Sequence, residues 1–505
     1  MPSFDAIVIG AGVNGLACAA RLAGNGRKVL LCEAAPVTGG GAGTHEFAPG
    51  FHAPSLAHTT QGLDPRVMAG MALDQHGLAF HPALTTTALS ADGQHLTVRA
   101  GQTEGPDAAS FAALHRQLAS FARVLAPFRA MTPPRLNAAG NEWLKLARHG
   151  LGIRALGRDE FRDFLRMILI NVYDVAAAEL TDKRLQGLLC FDATLGSWLG
   201  PRSPNSLILY LNRLAMGDQP LLPKGGMGAL AAAMTKAAIA CGADLRTGTP
   251  VAQVLIEGDR AIGVRLGSGE DIRAGLIVSA INPRTTFQKL VGAAPLDTDF
   301  YRRTVHIRSR GAAAKLHLAL HAVPDFRGAD LQSRLVIAGS SDAVELAFNP
   351  VKYGKVPLAP VMEIILPSAH EEGLAPPGQH VLSAVVQFAP HAPKAGPGAA
   401  RAEMLENTLA QLAAHAPGIR RLIAHAELLM PQDIEARFGM VGGNWHHGEL
   451  SVEQMLFNRP LREAAQYATP LPGLWLAGAG SHPGGGINGA AGWNAAERII
   501  AGLRQ

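Results

Sequence analysis

Two glycine-rich segments at opposite ends of the 505-residue chain carry the residues best suited to chemistry. Near the start, Gly10-x-Gly12-x-x-Gly15 follows the apolar run Ala6–Ile9 and precedes an Ala/Leu stretch, Leu16–Ala23. A tight turn at Gly10, backbone approach to a pyrophosphate at Gly12, and close helix–strand packing at Gly15 make a phosphate cradle. Val13 and Asn14 lie where the helix N-terminus faces the phosphate charge. A second apolar run, Lys28–Cys32, ends in Glu33 and Ala34, where a carboxylate accepts from ribose hydroxyls. A lone GxGxxG is weak evidence and also fits a glycine turn in an unrelated α/β protein. Here strand, loop, helix, strand and acid fall in order, which predicts a dinucleotide site.

That motif does not separate NAD from FAD. Beyond Glu33, the cluster Thr38–Ala42, with Gly40 and Gly41, supplies a further loop of the kind that closes over a diphosphate in flavoproteins. At the other end, the apolar run Leu474–Ala477 leads through Gly478-Ala479-Gly480 and Gly486-Ile487-Asn488 into a predicted helix ending near Leu503. A nicotinamide dehydrogenase has no need of this second strand–loop–helix unit. A flavoprotein does: side-chain-free backbone approaches the isoalloxazine, and a helix N-terminus faces the edge that turns negative on reduction. Asn488 either caps this helix or contacts the flavin, and one role does not preclude the other. No Cys or Tyr lies in the loop to tether a flavin, so FAD is expected to be held non-covalently.

Among nineteen histidines, His482 sits inside the C-terminal loop and His447, flanked by His446, in Gly443–Leu450. Both are candidates for moving a proton near neutral pH; the bland alternative for each is a loop histidine bonded to backbone. Glu449 either bonds such a histidine or faces solvent. Lys315 and His317 share one face of an alternating run, Ala314–Leu320, and that face is pocket or solvent. Lys224 either approaches phosphate or is solvated. Four scattered cysteines with no C-x-x-C pair argue against a zinc site and against thiol–disulfide chemistry, so no metal is expected.

The segment GAGSHPGGGINGAAGWNAA resembles the C-terminal signature of phytoene-desaturase-like flavoproteins, nearest the pyridine nucleotide-disulphide oxidoreductase domain subgroup. Leu222–Leu230, Ile277–Pro283, and Gly443–Leu450 with Phe457–Pro460 are similar to internal motifs of the same family, so the resemblance spans nearly the whole chain. It matches His447 to the family's histidine, whereas the position of His446 usually holds an aromatic residue. It implies an FAD-dependent oxidoreductase that desaturates an apolar small molecule by hydride transfer to flavin N5. An amine oxidase, a reduced-flavin isomerase or saturase, and a flavin-binding protein with little turnover remain alternatives. Oxygen, quinone and nicotinamide all stand as acceptors.

These sites need a scaffold. The expected fold class is α/β: a discontinuous Rossmann-like FAD domain from residues 1–75, 223–292 and 430–505, with an inserted α+β substrate domain from 76–222 and 293–429, an architecture similar to phytoene desaturases and amine oxidases. Val251 opens a hairpin-like run to Val278 and is expected to present backbone to adenine. Phe161, Phe164, Leu165, Ile168, Leu169 and Val172 recur at helical spacing and predict one helix over 160–175 with core packing as its default. At 48% hydrophobic residues, the chain can bury a large core. A net charge of +5 without a Lys/Arg run gives no nucleic-acid footprint. The N-terminal apolar run lacks a basic start and reads as strand and loop, not as a signal peptide. With no candidate membrane span, a cytoplasmic protein is expected, with peripheral membrane contact and oligomerisation open.

Overall fold

The computed structural model describes residues 4–134, 147, 150, 152 and 154–503. Its first sheet is built on Phe4–Ile9, a six-residue apolar strand paired in parallel with Val29–Cys32 on one side and with Asp271–Ser279 on the other. Ala243–Arg246 extends one edge beside Val29–Cys32, and Leu474–Leu476 pairs in parallel with the end of Asp271–Ser279. Such both-sides-buried parallel strands read as continuous apolar runs because helices cover both faces. Helices Val13–Ala23, Gly226–Ala240 and Ala490–Gly502 pack together over one face through Leu16, Met234 and Ile499. The hairpin-like run is a three-stranded antiparallel meander, Val251–Glu257, Arg260–Leu266 and Asp271–Ser279. All strands of this sheet fall within 1–75, 223–292 and 430–505.

The second sheet has seven strands, ordered Ile423–Leu429, Ala313–Leu320, His380–Gln387, Val361–Ile365, Arg334–Ile337, Thr86–Ala88 and Leu96–Val98. All lie within 76–222 and 293–429. Ala313–Leu320 alternates, but it is buried at every position. Leu316 and Leu318 pack with Ala400, Met404 and Leu412 of helix Pro397–His415, while Ala319 on the opposite face meets Ala48, Phe51 and Ala53 of the hairpin Thr44–Pro54. The half-exposed strand expected from its alternation is therefore covered on both sides.

The single helix expected over 160–175 is two. Arg158–Leu169 ends, the backbone extends at Ile170 and Asn171, and Val172–Glu179 begins, with the Asn171 side chain accepting from the Asp174 N–H. An Asn at an N-cap restarts a helix by satisfying a free donor, and this local bond overrides the apolar period. Phe164 and Val172 enter the core, but Phe161, Leu165 and Leu169 are exposed. Among the described residues, no helix is long and apolar enough to cross a membrane.

Candidate functional site

One cavity of about 950 Å³ runs between the C-terminal ends of the parallel strands and the second sheet. This is where ligands bind in open α/β folds. Its nucleotide end is built from backbone. Helix Val13–Ala23 starts at Gly12 with no side-chain cap, so its first N–H groups are left for a ligand. Gly12 has ordinary extended angles, φ −69° and ψ 173°, and a Cβ added there would meet no protein atom within 4 Å. A Cβ on Gly15 would instead lie 1.8 Å from the Gly10 carbonyl oxygen. The fold thus requires glycine at Gly15 but not at Gly12, where the space beside the backbone is open. The second glycine cluster folds back onto this loop: the Gly39 N–H donates to the Ala11 carbonyl, and Gly40–Ala42 form a short 3-10 turn. Glu33 is pinned at the tip of its strand, accepting from the N–H of Ala11 at 2.6 Å and of Ala35 at 2.9 Å.

Gly10, Gly12, Val13, Asn14, Glu33, Ala34, Gly40, Gly41, Val251, Ala479, Gly486 and Ile487 all border the cavity, as do His446 and His447. Gly15, Gly478, Gly480, Asn488 and His482 stand behind its wall. Gly478 and Gly480 pack against Ala280 and Pro283. Asn488 accepts from the Ala490 N–H and points its amide nitrogen at the Met216 sulfur, 3.2 Å away. His482 is 5% exposed and donates from Nε2 to the Phe128 carbonyl at 2.7 Å, so its side chain does not reach the cavity. Lys224 is exposed and away from the cavity. Glu449, 4% exposed, is held by Arg310 at 2.8 Å and bonds no histidine.

Burial, with Arg459 nearby, lowers the pKa of His446 to about 3 and of His447 to about 4. Burial likewise takes His482 to about 3. All three rings are neutral at pH 7 and weak bases there, which leaves them orienting or donating roles better than proton abstraction. His447 Nδ1 has no hydrogen-bond partner, and this ring lies on the cavity wall.

Several site residues gave no sequence signal. Arg459, 1% exposed, donates from Nη2 to the carbonyls of His446 at 2.7 Å and Ala479 at 2.8 Å, and from Nη1 to that of Glu449 at 3.2 Å. It ties the His446–Glu449 turn to the C-terminal glycine loop. Its only trace was the Phe457–Pro460 motif. Across the cavity runs a buried charge chain. Lys315 Nζ lies 3.0 Å from His58 Nδ1, His58 Nε2 lies 3.1 Å from Glu363, and Arg334 donates to Glu363 and to Asp192, both at 2.6 Å. Arg213 closes it on Asp192 at 2.8 Å. Burial opposes the charge on Glu363, but Arg334 and His58 outweigh it and hold the carboxyl well below the usual range. His58, Asp192, Arg213 and Glu363 border the cavity. The chain is assembled from separate segments, and no local motif marks it. Lys315 and His317 are thus buried in the interior, away from solvent and behind the residues that line the cavity.

The donor set fits FAD: an uncapped helix N-terminus at Gly12, side-chain-free loops and a carboxylate beyond the second strand. When bound, FAD would supply the redox chemistry, and these residues would hold and orient it.

The comparisons agree with this geometry. The family described as flavin containing amine oxidoreductase matches residues 14–500. The rat pyridine nucleotide-disulfide oxidoreductase domain-containing protein 2 is 30% identical, covering 100% of this chain and 94% of its own length. The phytoene desaturase (neurosporene-forming) of Cereibacter sphaeroides is 27% identical over 96% of this chain and 92% of its own. The fold is similar to that of cyclohexylamine oxidase from Brevibacterium oxydans, with a TM-score of 0.61, 16% identity and 100% of each chain covered. The chain is therefore an FAD-dependent oxidoreductase and belongs to the flavin-containing amine oxidoreductase family.

Proposed function

We propose that the protein dehydrogenates an apolar small molecule, one carbon giving a hydride to bound FAD and the adjacent carbon losing a proton that is released to bulk water. The observation that carries this reading is the cavity wall. It is lined by Leu56, Leu195, Leu209, Met216, Leu450 and Ile487, and among the described residues its only Phe, Tyr or Trp side chains are Phe438 and Trp445. An aliphatic wall selects substrate by shape and apolar area. The similarity to a phytoene desaturase over nearly the whole chain supports the same class.

In this reading the glycine loops hold the nucleotide and flavin non-covalently. His447 orients the substrate or donates a hydrogen bond near the reacting carbon, and Arg459 keeps His447's turn against the flavin loop. The second reading is amine oxidation, favoured by the carboxylates Asp192 and Glu363 on the wall. Each of these is already paired with Arg334. A substrate ammonium would have to compete with a buried guanidinium for them.

The test is anaerobic bleaching of the FAD-loaded protein with apolar alkenes, isoprenoids and amines, followed by mass analysis of the product. A product two hydrogens lighter with its carbon skeleton intact supports dehydrogenation. Bleaching by amines alone, with release of an imine-derived carbonyl, replaces it with the second reading. Reoxidation with oxygen, a quinone or a nicotinamide identifies the acceptor.

A further inference from the structure

Beyond the flavin cavity's own machinery, His317 stands out. It is 0% exposed, and neither ring nitrogen has a hydrogen-bond partner. Buried polar atoms are costly to leave unpaired, so such a group calls for an occupant. Its surroundings supply one. On the second sheet His317 is the direct cross-strand partner of Glu427, which places both side chains on one face of two adjacent strands. His45, from the overlying strand Thr44–Ala48, completes the group: its Nε2 lies 2.9 Å from a Glu427 oxygen, and its Nδ1 also lacks a partner. One nitrogen of each histidine and one oxygen of Glu427 lie within 4.8 Å of one another. The rings meet edge to face at 5.4 Å.

We propose that His45, His317 and Glu427 form a three-ligand site for a divalent transition ion of the zinc type. Zinc is bound by His nitrogen at about 2.0–2.1 Å and carboxylate oxygen at about 2.0–2.2 Å. At tetrahedral angles the ligand atoms then stand roughly 3.3–3.5 Å apart. The His45–Glu427 contact has to open by a few tenths of an ångström to reach that spacing. The remaining ligand distances have to close by at most about 1.5 Å, within side-chain rotation. Arg437 donates to the other Glu427 oxygen at 3.1 Å, fixing the carboxylate as outer partners do for metal ligands. Two imidazole nitrogens and one carboxylate suit a nitrogen-preferring ion better than a hard, oxygen-seeking one. Three protein ligands leave one coordination position, and His45 borders the cavity.

The test uses the FAD-loaded protein stripped with a chelator, dialysed, and titrated with cobalt(II) as the probe. Retained metal is counted after desalting. Tetrahedral d–d bands are read on the long-wavelength side of the flavin absorption. The expected result is one cobalt per chain with those bands, displaced by zinc, and binding at least tenfold weaker in His317→Gln and in His45→Gln. Flavin content reports folding, and His45, at the cavity edge, provides the variant less exposed to misfolding. Absence of retained cobalt and zinc in the wild type overturns the proposal and leaves water as His317's partner. Equal binding by wild type and a flavin-loaded His45→Gln or His317→Gln overturns it as well.

Discussion

His482 donates from Nε2 to the carbonyl of Phe128, 2.7 Å away and 354 positions earlier in the chain. This bond fastens the C-terminal glycine loop to the helix Ala108–Ala130 and turns the imidazole away from the cavity. His447, by contrast, is on the cavity wall. The two histidines therefore separate experimentally. His482→Ala loses a buried hydrogen bond, about 1–3 kcal/mol of stability, while its stopped-flow bleaching stays within about threefold of wild type once FAD is saturating. His447→Ala keeps its flavin and bleaches roughly ten- to a hundredfold more slowly, a loss at the low end of acid–base and orienting effects. Bleaching by both variants at the wild-type rate removes His447 and His482 from the reaction.

Glu33 does two things at once. It holds the N–H groups of Ala11 and Ala35, and it lies on the nucleotide end of the cavity. Glu33→Ala is expected to weaken FAD binding about ten- to a hundredfold, the worth of a charged hydrogen bond of roughly 1.5–3 kcal/mol. Excess FAD should restore the reaction. Titration by flavin fluorescence gives the affinity; an activity loss that saturating FAD does not restore contradicts the assignment.

The charge chain on the opposite wall is stabilised by completeness. Glu363→Gln leaves Arg334 buried with one carboxylate, Asp192, in place of two. Removing one member of a buried ion pair costs about 3–5 kcal/mol. The urea midpoint should fall sharply, whereas breaking the partly exposed Arg21–Glu497 pair should hardly move it.

Acid should destabilise the protein early. His482 has its pKa lowered by burial to about 3 in the folded state, against an ordinary value near 6.5. Between those values the unfolded chain binds the proton and the folded chain does not. Stability is therefore fully present above about pH 6.5 and is lost as pH falls toward 3. His482 alone contributes up to about 2 kcal/mol of loss between about pH 6.5 and 5. His446 and His447 act in the same direction. Urea midpoints measured across this range should fall with pH, and less steeply in His482→Gln.

What the sequence revealed was local. Gly10 to Glu33 could be read because turn, phosphate approach and helix start are dictated by neighbours in the chain, and Phe4–Ile9, Val13–Ala23 and Val29–Cys32 lie where that grammar puts them. The alternation of Lys315 and His317 was equally plain. Which way that face pointed was not, because the hairpin Thr44–Pro54 covering it is distant in the chain and His58 lies 257 positions from Lys315. Asp192, Arg334 and Glu363 meet only when helix and strands of the second sheet pack, so no spacing rule finds them. His482 misled for a related reason: its place in the glycine loop was legible, but its rotamer is set by a carbonyl on a distant helix. Asn171 shows the opposite case, in which a short-range cap defeated a longer apolar period.

The central claim is that FAD lies against the first glycine loop inside this cavity, and Gly12 tests it most directly. Its backbone angles suit any residue, and an added Cβ meets no protein atom within 4 Å, so the Cβ of Gly12→Val enters free cavity space, and the folding control reports on its methyls. The measurement is flavin content of the purified variant, with circular dichroism and thermal unfolding of the apoprotein as the folding control. The account predicts a folded, colourless protein that does not take up added FAD. A folded Gly12→Val protein carrying one FAD per chain with wild-type affinity would contradict it.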